Sequence, residues 1–425
     1  MNTPVTPASG SPASFALASD PLPVAGFACA QGFLLVGGRP ITELAEQFGT
    51  PFYAYDSALL DARVAQLRAA LPPGVGLHYA MKANPMPALL RRMVGLVDGI
   101  DVASGGELQR ALSAGARPQD ISFAGPGKRA EELQQAVAAG VLVNVESPRE
   151  LPLLATAQDE LARPARVALR VNPDFELKGS GMRMGGGAKP FGIDAEAVPA
   201  VLREVGRLGL RFEGFHLYAG SQNLRAASIC EAQRLSYELA LRLADHAPAP
   251  VRVLNLGGGF GVPYFPGEQP LDLAPIGQNL QALLERAAQE MPHAQLVLEL
   301  GRYLVAEAGV YVARVLDRKL SRGQVFLVTD GGLHHHLAAS GNFGQVVRRN
   351  YPVRIGTRMQ ATADEHELAS VVGPLCTPLD LLADRMQLAR AQEGDLVVVF
   401  QSGAYGASAS PQDFLGHPRV AEVLV

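Results

Sequence analysis

The chain has 425 residues, a formal net charge of −4, and 48% hydrophobic against 18% charged residues. That composition can bury a large core, is too apolar for a disordered chain, and at this length allows about two to three domains. It carries no basic excess for nucleic acid or an anionic membrane, and its three widely spaced cysteines (Cys29, Cys230, Cys376) exclude a disulfide scaffold and a CxxC zinc site.

Residues 1–21 are rich in Ala, Ser and Pro with one charge, Asp20, and read as a disordered leader. The first basic side chain is Arg39, so the positive start of a signal peptide is missing. With no long apolar run either, the expected location is the cytoplasm. A β-like run at 27–36 ends in Gly37-Gly38. A helix at 41–48, a Gly49-Thr50-Pro51 turn and a strand at 52–55 follow.

From residue 56 short β-rich runs alternate with Ala/Leu/Arg-rich helical stretches. The runs are 76–81, 99–104, 121–124, 141–145, 166–171, 212–218, 251–256 and 295–300. Eight βα units in this order predict a (β/α)8 TIM-like barrel. A doubly wound open sheet shares the alternation, but the count of eight favours the barrel. After 305 the rhythm changes to short strands at 310–316, 324–329, 353–355, 368–372 and 395–400. The expected organisation is a barrel over 48–305 and a mostly antiparallel β domain built from 22–47 and 306–425.

In such a barrel, function sits where strands end. The first run ends in Tyr79-Ala80-Met81-Lys82-Ala83-Asn84. A lysine leaving a buried strand can condense with an aldehyde, although a surface lysine at a loop start reads the same way. Tight glycine turns follow the second and third runs, at Ser104-Gly105-Gly106-Glu107 and Gly125-Pro126-Gly127-Lys128. The sixth run ends in His216-Leu217-Tyr218, and alternation puts His216 and Tyr218 on one face. The seventh ends in Gly257-Gly258-Gly259, a nest of N–H donors for a phosphate or else a flexible loop. The eighth ends in Glu299-Leu300-Gly301-Arg302, an ion pair or a holder of a protonated heterocycle beside a free arginine. An amine, phosphate donors, an anion and an aromatic ring at separate strand ends are the parts pyridoxal 5'-phosphate needs. No metal is expected, because the adjacent His334-His335-His336 cannot converge on one ion.

These motifs resemble the fold-type III pyridoxal-phosphate decarboxylases, the group of diaminopimelate and ornithine decarboxylases. Tyr79–Asn84 is similar to that family's cofactor-lysine motif. Asp101–Glu107, Gly125–Lys128, Gly257–Gly259, Glu299–Tyr303, Gly373–Asp380 and Gly403–Gly406 follow in the family's order over residues 27–425. The resemblance implies a lyase, a carboxy-lyase of amino acids. In it Lys82 would bind the cofactor's aldehyde, and Gly257, Gly258, Gly259 and Ser221 its phosphate, with Tyr405 nearby. Glu299 would pair with the ring nitrogen and Tyr218 would stack on the ring. Arg302 would meet a substrate carboxylate, with His216 and Thr377 also at the substrate. Cys376 would reach in from a second subunit to protonate the carbanion, which makes the enzyme a homodimer with shared sites.

The chain also departs from that family. Tyr218 stands where a stacking histidine is usual. Thr377 follows Cys376 where the diaminopimelate enzymes place a glutamate, and 330–344 lacks their Arg-Pro-x-x-Tyr pattern. A buried ammonium–carboxylate end would be left without partners there. The variants resemble a sub-branch acting on conjugated amino acids, such as carrier-protein glutamyl thioesters or citryl-diaminopropionate of siderophore biosynthesis. His334–His336 and Asn342 are candidates to touch the attached group, or else shape the loop. A free diamino acid decarboxylase, a racemase on a related barrel and a non-catalytic binding protein are the alternatives.

Overall fold

The computed structural model describes residues 26–175, 182–183, 185–343, 345 and 347–425. The leader at 1–21 lies outside them. Eight strands form a barrel: β1 (Gly76–Ala80), β2 (Gly99–Val102), β3 (Ile121–Phe123), β4 (Leu142–Val145), β5 (Arg166–Asn172), β6 (Arg211–Leu217), β7 (Val253–Gly258) and β8 (Gln295–Leu300). Each pairs in parallel with the next, and β8 pairs with β1 to close the ring. The fold is therefore the expected TIM-like barrel rather than an open sheet. All four residues of β4 are buried, as they are in strands packed on both faces. The helices turn one apolar stripe inward. In Val198–Arg207 the buried residues are Val198, Val201, Leu202 and Val205, one face of a helical repeat.

Asp56 caps the first helix of the barrel, Ser57–Ala70, and accepts hydrogen bonds from the N–H groups of Ala58 (2.9 Å) and Gly37 (2.8 Å). One carboxylate thus joins the chain's early segment to the barrel.

The second sheet is organised around the long strand Gly309–Ser321. It pairs antiparallel with Gln324–Thr329, Leu396–Val399 and Phe52–Tyr55. Phe52–Tyr55 therefore belongs to this sheet, although it lies on the barrel side of a boundary at 48. It is buried on both faces and also pairs with Ala421–Leu424. Ala421–Leu424 and Leu381–Ala389 are strands that the sequence reading omits. Leu381–Ala389 has no β-branched residue and reads as helical. The sheet is mixed, since Gln324–Thr329 runs parallel to His366–Val372.

Asp380 pins two loops of this domain. It is 3% exposed and accepts from Leu333 N (2.6 Å) and Leu375 N (2.8 Å). The loop it holds leaves Cys376 exposed. His334, His335 and His336 are at most 1% exposed, inside the β domain. His335 contacts Pro418 O through Nε2 (2.8 Å), and His336 contacts Ser402 Oγ (2.8 Å). Their burial removes them from any surface that an attached group would touch in this chain. No helix of the described residues is long and apolar enough to cross a membrane.

Burial holds the His336 imidazole down to about 3 and, with its histidine neighbours, His334 to about 4. The folded chain therefore refuses protons that the unfolded chain takes up near pH 6.5. These histidines make stability fall as pH drops from about 6.5 towards 4. His336→Gln, which keeps a partner for Ser402 but does not titrate, is expected to flatten that fall. Urea midpoints at pH 7.5 and pH 5 measure it, and an equal drop in both proteins would contradict the assignment.

Candidate active site

The cleft lies at the C-terminal mouth of the barrel. β1 runs into a short turn, Met81–Ala83, that carries Lys82 outward. Buried hydrogen bonds fix this turn. Tyr79 Oη donates to Asn84 O (2.8 Å), Asn84 Nδ2 donates to Gly403 O (2.9 Å), and Tyr405 N donates to Ala83 O (2.7 Å). The lysine turn is thereby bound to the 403–406 segment of the β domain. Tyr405 has a φ of +54°, a sparsely populated conformation held by this packing. Lys82 Nζ lies 5.8 Å from the centre of the Tyr218 ring.

The end of β7 leaves no room for side chains. A Cβ at Gly258 would lie 2.1 Å from Glu299 O, and one at Gly259 2.2 Å from Gly220 O. At Gly257 it would meet Leu217 O at 2.6 Å. Backbone alone forms this wall, as a phosphate-binding turn requires. Ser221 faces the same cleft as Gly259, and its buried hydroxyl has no hydrogen-bond partner among the described residues. Arg302 lies against the ring of Tyr405 (4.6 Å) and donates to Tyr264 Oη (3.0 Å). Among the described residues no carboxylate pairs with it, so the guanidinium is available to an anion in the cleft.

Glu299 is 7% exposed, and its Oε2 is 3.0 Å from Nε2 of His216, itself 2% exposed. The two side chains are in contact, with the ring turned off the hydrogen-bond line. Burial pushes the Glu299 carboxyl up, but His216, Lys82 and Arg170 together pull it down to about 2. These neighbours favour the ionised form of Glu299. Burial and the Glu299 charge push the Tyr218 phenol far up, so that ring stays neutral.

Lys82, Tyr218, Ser221, Gly259, Glu299, Arg302 and Tyr405 share this one cleft. Gly257 and Gly258 form the strand end behind it. His216 lies beneath Glu299 and is not among the residues that line the cleft. Its strand position puts it one residue pair deeper than Tyr218. Cys376 and Thr377 do not reach the cleft of their own chain. Tyr264 and Arg170 also act on the site, and the sequence reading names neither. Tyr264 sits in an irregular loop without a motif, and Arg170 reads as one more residue of β5.

Residues 57–306 match the family described as "Pyridoxal-dependent decarboxylase, pyridoxal binding domain". The chain is 40% identical to the L-glutamyl-[BtrI acyl-carrier protein] decarboxylase of Niallia circulans over 390 residues, covering 90% of each chain. It is 34% identical to the diaminopimelate decarboxylase of Aquifex aeolicus, covering 93% of this chain and 91% of that one. The crystal structure of the M. jannaschii diaminopimelate decarboxylase with L-lysine superposes with a TM-score of 0.84 at 26% identity, over 95% and 93% of the two chains. The cleft fits the cofactor of these proteins. Its glycine wall, orphaned Ser221 hydroxyl and unpaired Arg302 suit a phosphate and a second anion, and its buried carboxylate suits a protonated ring nitrogen.

A methyl at position 259 would have to displace Gly220 O. Gly259→Ala is expected to weaken pyridoxal phosphate binding at least about tenfold, read by fluorescence titration, since a lost charge-assisted contact is worth about 1.5–3 kcal/mol. Gly95→Ala, whose Cβ meets only an ordinary contact at 3.4 Å, is the control and should bind as the parent does.

Proposed function

The chain belongs to the pyridoxal-dependent decarboxylases and is a pyridoxal-phosphate-dependent carboxy-lyase of amino acids, and we propose that its substrate is an L-amino acid held in a larger conjugate. Bound pyridoxal phosphate supplies an aldehyde for an amine and a ring that accepts the electron pair left when carbon dioxide departs.

The side chains have separable roles in this reading. Lys82 would hold the cofactor through its aldehyde and give way to the substrate amine. Gly257–Gly259 and Ser221 hold the phosphate. Tyr218, in the same cleft, would cover one face of the ring and keep water from it. Glu299 holds the ring nitrogen in its protonated form, which favours acceptance of the electron pair. Arg302 meets a substrate carboxylate. Cys376, exposed on its loop, enters the cleft of a second copy and delivers a proton to the α-carbon. That step requires a homodimer with shared sites.

One observation carries the choice of a conjugate. From Gly331 to Gly344 the loop of the β domain contains no Asp, Glu, Lys or Arg. Asp330, just before it, is already occupied by Arg314 N (2.8 Å) and Thr50. Thr377, beside Cys376, offers no charge either. A distal ammonium would find no counter-charge in this segment or at Thr377, a desolvation cost of roughly 2–7 kcal/mol for an unpartnered polar group. A substrate whose far end is acylated or thioester-linked avoids that cost. The likeness to the carrier-protein glutamyl enzyme supports the same reading.

Carbon dioxide release from a matched panel tests it. One half holds free lysine, ornithine, diaminobutyrate, glutamate and diaminopimelate. The other holds citryl-diaminopropionate and a carrier-protein glutamyl thioester. Release from a conjugate with none from the free amino acids is expected. Release from free diaminopimelate would contradict the reading of Thr377 and the 331–344 loop, and a scrambled α-carbon with its carboxylate retained would make the protein a racemase.

A further inference from the structure

His216 is a buried imidazole that binding and catalysis, as described so far, leave without a task. It lies on β6, in register with Arg170 on β5 and Asn255 on β7. Glu299 lies on β8, in register with His78 on β1 and Gly258 on β7. The two side chains meet across the barrel interior at 3.0 Å. Neither ring nitrogen of His216 has a hydrogen-bond partner among the described residues; Nε2 approaches Glu299 Oε2 off the hydrogen-bond line.

The remaining charged groups around Glu299 are committed elsewhere. Arg170 pairs with Glu146 at 2.7 Å, and that carboxylate also accepts from Gly125 N. His78 contacts Asp101 through Nδ1 at 3.1 Å, and Asp101 in turn accepts from Ser122. Lys82 belongs to the cofactor and substrate and changes partner during turnover. Tyr218 is neutral. His216 alone among these groups is in contact with Glu299 and has no competing anion. A carboxylate buried this deeply is driven towards its neutral form unless a donor or cation stays with it. A neutral Glu299 would offer the ring nitrogen a proton donor where an acceptor is needed.

We propose that His216 is a positioning residue that holds Glu299 from below as an aligned carboxylate, so that the two together, and not Glu299 alone, set the protonation of the bound cofactor's ring nitrogen. The inference rests on the cofactor and on Glu299 facing its nitrogen, and is independent of the substrate. His216 does not line the cleft, so its effect on the cofactor would pass through the carboxylate.

The test uses holoenzyme loaded with pyridoxal phosphate carrying 15N in the ring, and reads the 15N chemical shift from pH 6 to pH 9 with no substrate present. The parent is expected to keep one shift in the protonated-pyridine range throughout. Glu299→Gln sets the opposite limit. His216→Leu is expected to move the shift at least halfway to that limit and to make it titrate within the pH range. His216→Gln, which restores a donor to Glu299, should recover most of the change. A merely structural role would alter melting temperature and leave the shift in place. An unchanged shift in His216→Leu beside a moved shift in Glu299→Gln would overturn the proposal. An unchanged shift in both would remove the Glu299 assignment on which it rests. Should His216→Leu fail to load cofactor, His216→Asn, which keeps the volume polar but withdraws the donor from Glu299, is read by the same criteria.

Discussion

A carboxylate that is buried and still ionised governs this active site. Glu299 is 7% exposed and held to about 2. Burial alone would neutralise it. It stays charged because cationic and donor groups from several strands converge on it, His216 first, then Lys82 and Arg170. The closed barrel brings them together, from β5, β6, β8 and the turn that follows β1. The same closure explains the glycines of β7. With Glu299 O and Gly220 O pressed against that strand end, any side chain there would push the walls of the cleft apart.

The barrel does not make the mouth by itself. Asn84 and Ala83, in the lysine turn, are hydrogen-bonded to Gly403 and Tyr405 of the β domain. Tyr405 is thereby set against Arg302 at 4.6 Å. A change in how the two domains pack would move Lys82 and Arg302 together. The strand Phe52–Tyr55 strengthens that link, because it pairs with Gly309–Ser321 in the β domain immediately before the barrel begins. On the far side of the β domain Asp380 ties the 331–333 and 373–375 backbones together and presents Cys376 outward. The proposed proton donor is thus placed by a carboxylate of its own chain.

The barrel was legible in the sequence because its strands announce themselves. They are short, largely buried and separated by amphipathic helices, so all eight fall within two residues of their observed limits. The β domain was less legible. Leu381–Ala389 has a helical composition and becomes a strand only through its partner His366–Val372. At the site, Lys82, Tyr218, Glu299, Arg302 and the glycines were readable because each ends a recognisable strand or opens its loop. Arg170 and Tyr264 were not, since a mid-strand arginine and a loop tyrosine carry no local signal. His216 was noticed, but alternation fixes only the face it occupies and not its depth. The structure puts it below the mouth, 3.0 Å from Glu299.

The account stands on Lys82 being the amine that holds the cofactor at this mouth. Borohydride reduction of the holoenzyme, followed by proteolysis and mass spectrometry of the peptides, tests that directly. The label is expected on the peptide containing Met81-Lys82-Ala83 and nowhere else. A label on Lys128 or Lys189, or none at all while the visible absorbance persists, would contradict it.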